Sequence, residues 1–433
     1  MQRSVAQKAL LDVKSPMKVE LVNTGTELLL GDTVNTNAAW IGQRLAALGI
    51  QVTRQTIVPD GAVIRVAIAE AAQRADVVLV SGGLGPTNDD LTRESMAELL
   101  SLEMDLNEGV VSQLREYFLK RGKVMSESNK RQAMVPRGAV VLPNAFGTAP
   151  GLYFPAHLGA GLGWKTHFFL LPGPPRELKP MMEAEVEPRL RDWLPGGASR
   201  AVLYLKVTGA GESDIVEAVE KKLEAIAGLD LGYCISKADV DVRLAGTQAV
   251  VDAGARIVRA ALGDNIVSED RRVIEEVLVQ LLAARGEWLA TAESCTGGAI
   301  ASRITDVSGS SRVFGHGWVT YANEAKTRQL GVPGDLIEKH GAVSEEVARA
   351  MAEGALKNSG ADHALAVTGI AGPTGGTPDK PVGTVWIALA SKKAATWAVK
   401  RFSPGARDRF KLLTSQAALE MLRRRLRGIP LQK

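Results

Sequence analysis

The chain is short of thiols, histidines, net charge and long apolar runs, and each shortage narrows what it can be. Only two cysteines, Cys234 and Cys295, occur in 433 residues, and they lie far apart. That argues against a disulfide framework or a thiolate zinc site and suits a reducing cytoplasm. The five histidines form no motif. Fifty-two Lys and Arg against forty-eight Asp and Glu leave a net charge of +4, too slight to point to nucleic acid or a membrane surface. Apolar runs such as Val77 to Val80 and Phe168 to Leu171 are strand-sized, far below a membrane span. The first sixteen residues lack the apolar stretch of a signal peptide and read as a flexible tail. What remains is an ordinary globular balance, 45% hydrophobic and 23% charged, which excludes wholesale disorder. At roughly 150 residues per domain the length allows about three domains. Glycine is plentiful at forty-four residues, and glycine is used where backbone must approach a ligand.

Three regions emerge. Residues 17–195 alternate strands and helices: strands at 18–23, 51–58, 76–80 and 167–171, with helices at 37–48, 65–74 and 92–100 between them. The continuous apolar run Asp76 to Val80 suits a parallel sheet buried on both faces. This pattern predicts a doubly wound α/β layer. Leu194 to Ser199 (LPGGAS) has the composition of a linker. Residues 196–266 read as a small α+β module, with strands at 202–207 and 240–244 and a helix at 213–226. Residues 267–433 return to α/β order, with a helix at 273–284, strands at 288–292, 317–321 and 364–367, and a helix at 343–356 for which Ser344 is the expected N-cap.

Two glycine-bearing turns stand out in the first region. Ser81 to Asp90 (SGGLGPTNDD) follows a buried strand and precedes a helix, and Asn23 to Glu27 (NTGTE) follows another. Gly82, Gly83 and Gly85 allow backbone N–H groups to close on an anion, and the helix start adds partial positive charge. Asp89 and Asp90 can hold a divalent metal or a ligand hydroxyl through hard oxygens, or can simply cap the turn. If the strands are parallel, both loops emerge on one edge, where open α/β sheets bind ligands.

In the third region, Thr291 to Gly298 (TAESCTGG) lies at a strand-to-helix junction. Ser294 there would face the N–H groups of a helix start, which could serve as an oxyanion hole. Serine needs a base to act as a nucleophile, and Lys326, on the helix after Tyr321, becomes one when desolvated. The plainer alternatives are Ser294 as an N-cap, Lys326 as a solvated lysine, and Cys295 as either a buried filler or a rival nucleophile. A third polar loop, Thr368 to Gly376, suits a phosphate or nucleotide backbone.

These segments resemble a known family. NTGTELLLGDTVNTN (23–37), SGGLGPTNDDLT (81–92), NKRQA (129–133), 144–151 and LPGPPRE (171–177) are similar to the MoaB/MogA-like, molybdopterin-binding fold as it occurs in the competence/damage-inducible CinA family. AESCTGG (292–298), GSSRVF (309–314), YANEAK (321–326), GAVSEEVA (341–348), VTGIAGPTGG (367–376) and KPVGTVWIAL (380–389) resemble the CinA C-terminal domain, which in other bacteria is a nicotinamide-nucleotide amidohydrolase. The middle region resembles the family's KH-like module but lacks the GXXG clamp of RNA-binding KH domains.

The resemblance implies a bifunctional pyridine-nucleotide salvage enzyme. Its C-terminal domain would deamidate nicotinamide mononucleotide, with Ser294 as nucleophile, Lys326 as base, Tyr321 and Ser311 assisting proton transfer, and Thr296, Gly297, Thr368, Gly369, Gly372 and Arg407 contacting substrate. No cofactor is implied there. Its N-terminal domain would hydrolyse ADP-ribose at a site including Glu27, Asn35, Gly82, Gly83, Gly85 and Thr87, with a divalent metal such as Mg2+ on Asp89 and Asp90. A homodimer is implied, with no membrane or nucleic-acid partner. The alternative is a pterin-binding or competence-linked scaffold with inactive sites. The sequence departs from the family where Gly405-Ala406-Arg407 replaces Gly-Asp-Arg, removing an acid beside Arg407.

Overall fold

The computed structural model describes residues 17–194, 201–236 and 238–431. The expected tail and most of the expected linker lie outside them. The chain divides into two compact units, Met1–Ala201 and Val202–Lys433.

The first unit is built on a six-stranded sheet of β1 (Val19–Thr24), β2 (Val52–Val58), β3 (Val77–Ser81), β6 (Val140–Leu142), β7 (Gly151–Phe154) and β8 (His167–Leu171). A separate antiparallel pair is formed by β4 (Met104–Leu106) and β5 (Met134–Pro136). The order β2-β1-β3-β8-β7-β6 is parallel through its first four strands and antiparallel at β7 and β6. Strand periodicity explains the double winding. Along β3, Val77 and Leu79 face one apolar layer with the helix Thr36–Ala47. Val78 and Val80 face another with the helix Val63–Ala72. Because β1 and β3 run parallel, Thr24 and Ser81 end at the same edge.

In the second unit, β9 (Ala201–Thr208), β10 (Asp230–Ser236), β11 (Asp239–Gly246) and β12 (Ile266–Ser268) form a four-stranded sheet, β10-β11-β9-β12. Its helices Glu212–Glu224 and Gln248–Leu262 bury Ile215, Val219 and Leu223, and Val251, Ala255 and Val258, at helical spacing. The α+β module expected at 196–266 is thus present, but it shares one compact unit with the third region. The helix Arg407–Arg427 is the reason. Its Gln416 Nε2 donates to Asp239 Oδ1 (2.6 Å) and Thr208 Oγ1 (3.1 Å), and the fully buried Arg423 donates to the Asp264 and Ile266 carbonyls.

A five-stranded sheet completes this unit: β13 (Leu289–Glu293), β14 (Phe314–Val319), β15 (His363–Gly369), β16 (Thr384–Ser391) and β17 (Ala394–Phe402), in the order β14-β13-β15-β16-β17. β14, β13 and β15 are parallel, and β16 and β17 are antiparallel. Apolar layers cover both faces. Ser344 caps the helix Glu345–Ser359, accepting from Val347 N–H as expected. The strand expected at 317–321 instead spans Phe314–Val319. Among the described residues no helix is long and apolar enough to cross a membrane.

Candidate functional site

Ser294 follows β13 directly, and its N–H donates to the Val367 carbonyl at 3.0 Å, fastening the turn to β15. On the neighbouring strand, Thr320 N–H donates to the Glu293 carbonyl at 2.8 Å, and the chain then runs on to the helix Asn323–Leu330. From that helix Lys326 reaches back. Its Nζ lies 3.3 Å from Ser294 Oγ, 3.0 Å from the Thr320 carbonyl and 3.2 Å from the Tyr321 carbonyl.

Lys326 is 1% exposed, and burial lowers its pKa from the ordinary 10.5. It is therefore not a solvated lysine. The two carbonyls can accept only N–H hydrogens, so a neutral amine held this way turns its lone pair toward the Ser294 hydroxyl. That is the arrangement general-base activation requires.

Ser294 is not an N-cap, and the free helix-start amides expected beside it are already bound. Gly298 occupies the cap position of the helix Ala299–Thr305. The buried Glu293 carboxylate accepts from Gly298 N–H (3.1 Å), Ile300 N–H (3.0 Å), Ala301 N–H (2.9 Å) and the Thr296 hydroxyl (2.6 Å). Oxyanion donors on those amides are thereby excluded, and Thr296, fully buried with its hydroxyl engaged, is not presented to substrate. Sequence reasoning missed Glu293, whose only outward signal is an acid just before a glycine-rich turn. Cys295 packs in the apolar core, and burial pushes its thiol up to about 12, so it is a filler and not a rival nucleophile.

The other expected residues are placed as follows. Arg407 donates from Nη2 to Tyr321 Oη (2.7 Å) and from Nη1 to the Gly372 carbonyl (2.9 Å), tying three expected residues together at the cleft rim. Ala406 is the N-cap of Arg407's helix and supplies no side-chain cap, so the missing acid affects the helix end while Arg407 keeps its two contacts. The Thr368 hydroxyl is buried and donates to the Ala342 carbonyl at 2.8 Å. Gly369 packs tightly, since a Cβ there would lie 2.7 Å from the Thr384 carbonyl oxygen. Gly297 has φ +62°, which a bulkier residue would resist. Ser311 is not brought to the pair. It is exposed, on the turn Ser310–Arg312 just before β14, whose Phe314 pairs with Leu289 at the start of β13. Ser294 follows the other end of β13, so parallel pairing puts Ser311 at the opposite sheet edge.

In the first unit the two glycine-bearing turns converge as expected. Gly82, Gly83, Gly85, Glu27, Asp89 and Asp90 line a cleft of about 410 Å3. Gln132, Thr148 and Glu177, which lie in the quoted motifs but were not named as site residues, line it too, as does Asp60, which lies in none of them. The glycines are required: at Gly82 (φ +102°) a Cβ would lie 2.5 Å from the Thr24 carbonyl oxygen. Asn35 and Thr87 do not line the cleft. Asn35 is the N-cap of Thr36–Ala47 and its Oδ1 accepts from Ala38 N–H (3.0 Å). Thr87 donates its N–H (2.9 Å) and hydroxyl to Asp90 Oδ2.

The expected metal site is not preassembled on Asp89 and Asp90. Among the described residues no three His, Cys, Asp or Glu side chains are grouped to hold a metal. Asp90 Oδ2 closes its own turn, and Glu177 Oε2 accepts from Asn144 Nδ2 at 2.8 Å. The donors suit a hard cation in kind, but the residues present do not fit one in arrangement.

Comparison with known proteins bears on both regions. Residues 271–426 match the family model of the CinA C-terminal domain, and residues 20–192 match that of a probable molybdopterin-binding domain. A CinA-like protein of Akkermansia muciniphila is 50% identical over 406 residues, covering 93% of this chain and 96% of that protein. A putative competence-damage inducible protein of Symbiobacterium thermophilum is 48% identical over 429 residues, covering 95% and 99%. A crystal structure of a competence/damage-inducible protein from Agrobacterium tumefaciens is 42% identical, covering 36% of this chain and 97% of that one, with a TM-score of 0.34.

Proposed function

Since the chain belongs to the CinA family, we propose that its C-terminal region is a serine–lysine amidohydrolase acting on nicotinamide mononucleotide. The observation that carries this reading is the buried Lys326 amine at 3.3 Å from Ser294 Oγ, with its other two contacts both carbonyls.

Lys326 Nζ takes the Ser294 hydroxyl proton as Oγ bonds to the carboxamide carbon. Lys326 then returns that proton to the amide nitrogen, the C–N bond breaks, and ammonia leaves an acyl-serine. Water, deprotonated by the same amine, attacks the acyl carbon. The Oγ–C bond breaks, Ser294 regains its proton, and nicotinate mononucleotide is released. Burial of Lys326 lowers its pKa and so favours the neutral amine that each half-reaction starts from. Ser294→Ala should abolish ammonia release, and an alanine variant with the wild-type rate would remove the nucleophile from the scheme.

The first unit supports a second activity, hydrolysis of the pyrophosphate of ADP-ribose. The glycine-lined cleft beyond β1 and β3, with Gly82 and Gly83 at positive φ, suits a diphosphate held by backbone amides. The test is product analysis of ADP-ribose incubated with the protein, with and without added Mg2+. Ligand retention without turnover would favour a binding scaffold instead. Ser294→Ala should leave this activity intact.

A further inference from the structure

The helix Arg407–Arg427 starts beside the nucleophile turn and presents two cations to it, four residues apart and therefore on one face. Arg407 is held only by neutral oxygens, the Tyr321 hydroxyl and the Gly372 carbonyl. Lys411 is half-buried, and among the described residues it has no hydrogen-bond or ion-pair partner. Its position relative to the turn is fixed by Gly297: a Cβ built there would lie 3.6 Å from Lys411 Nζ. Glu293, the acid nearest along the turn, is buried and engaged by three backbone amides and the Thr296 hydroxyl. No carboxylate stands within ion-pair distance of either cation among the described residues.

Two positive charges beside one turn with no carboxylate partner make a local field that favours an anion. Amide hydrolysis itself does not call for them, because a carboxamide is neutral and its transition state develops a single negative charge. A pyridinium ring would be repelled. The group whose charge matches both is a phosphomonoester, a dianion near neutral pH with three acceptor oxygens.

We propose that Lys411, together with Arg407, binds the 5′-phosphate of the substrate and makes the site specific for a mononucleotide over the nucleoside or the free amide. The proposal rests on the amidohydrolase reading and adds the residue that reads the phosphate. Lys is suited to the part as a point charge on a flexible stem that adjusts to a tetrahedral anion.

The test compares wild-type protein, Lys411→Met and Lys411→Arg on nicotinamide mononucleotide and nicotinamide riboside, following ammonia release. Lys411→Met should raise KM for the mononucleotide at least tenfold with kcat within about threefold, leave the poor riboside reaction unchanged, and keep the wild-type melting temperature. Lys411→Arg should recover most of the affinity. Equal losses on both substrates would place Lys411 at the developing oxyanion and overturn the proposal, as would no change on either. Calorimetric titration with nicotinate mononucleotide separates phosphate binding from turnover. If wild-type protein fails to turn over the amide, the amidohydrolase reading fails. The phosphate assignment still stands or falls on whether Lys411→Met weakens that binding tenfold or leaves it equal.

Discussion

Replacing Lys326 by methionine separates catalysis from folding. Methionine keeps most of the apolar stem and removes the amine, so it deletes the base while leaving the helix Asn323–Leu330 its packing. A positioned general base contributes about 10²–10⁴ in rate, or roughly 3–5 kcal/mol of barrier, and ammonia release should fall by that factor. The wild-type pH profile supplies the sign. Burial lowers the Lys326 pKa from 10.5, so the neutral amine accumulates at lower pH than for a solvated lysine. On that basis log kcat/KM should climb with unit slope and level off at the lowered value, below 10.5.

Stability follows the same linkage in mirror image. Between the lowered folded value and the ordinary unfolded one, the unfolded chain binds more protons, so wild-type stability rises with pH through that window. Below it the full penalty of a buried ammonium is present. Lys326→Met removes this penalty; replacing buried charges by apolar groups ranges from neutral to about 4 kcal/mol stabilising. Against this stands the buried Thr320 carbonyl left without its donor, at about 1–3 kcal/mol, while the exposed Tyr321 can turn to water. The variant should therefore lose activity without a matching loss of stability, and its melting temperature relative to wild type should decline as pH rises toward 10.5. A variant with activity within tenfold of wild type would refute the base assignment. Activity lost together with a collapsed melting temperature at every pH would reduce Lys326 to a structural prop.

Other perturbations test the scaffold around the pair. Glu293→Gln sets an NH2 against a cluster of N–H donors; with charge-assisted bonds at about 1.5–3 kcal/mol each, denaturant unfolding should show a loss of at least about 3 kcal/mol, and ammonia release should fail with it. A variant with both intact would mean that the carboxylate does not organise the turn. Ala406→Asp restores an N-cap to the helix Arg407–Arg427 and should stabilise the protein by about 0.5–2 kcal/mol with kcat/KM unchanged, because Arg407 is held elsewhere; a changed KM would show that the cap and the arginine are coupled. Iodoacetamide near neutral pH should label the exposed Cys234 and spare Cys295, whose thiol is pushed up to about 12, leaving ammonia release untouched. Inactivation tracking with Cys295 labelling would contradict its role as filler.

What the sequence made legible was local. Asp76 to Val80 announces a doubly buried parallel strand because four adjacent apolar residues must face two apolar layers. Ser344 announces a cap because capping is decided within one helical turn. The pairing of Ser294 with Lys326 came from motif resemblance, since thirty-two residues separate them and only the parallel placement of β14 beside β13 closes the gap. The same placement explains the misjudged residue. Ser311 lies nearer to Ser294 in sequence than Lys326 does, yet the chain reverses between them and returns Ser311 to the far end of β13. Sequence separation is blind to which sheet edge a loop occupies.

Glu293 was illegible for a related reason. Its amide partners lie five, seven and eight residues on, at an interval neither strand nor helix periodicity marks, and only the folded turn makes them converge. The strand expected at 317–321 ends early for a chemical reason. Thr320 still donates its N–H to the Glu293 carbonyl of β13, but its own carbonyl and that of Tyr321 face Lys326 instead of a neighbouring strand. That departure from regular pairing supplies the two acceptors that orient the amine toward Ser294, so the strand's early end and the site's chemistry have a single cause.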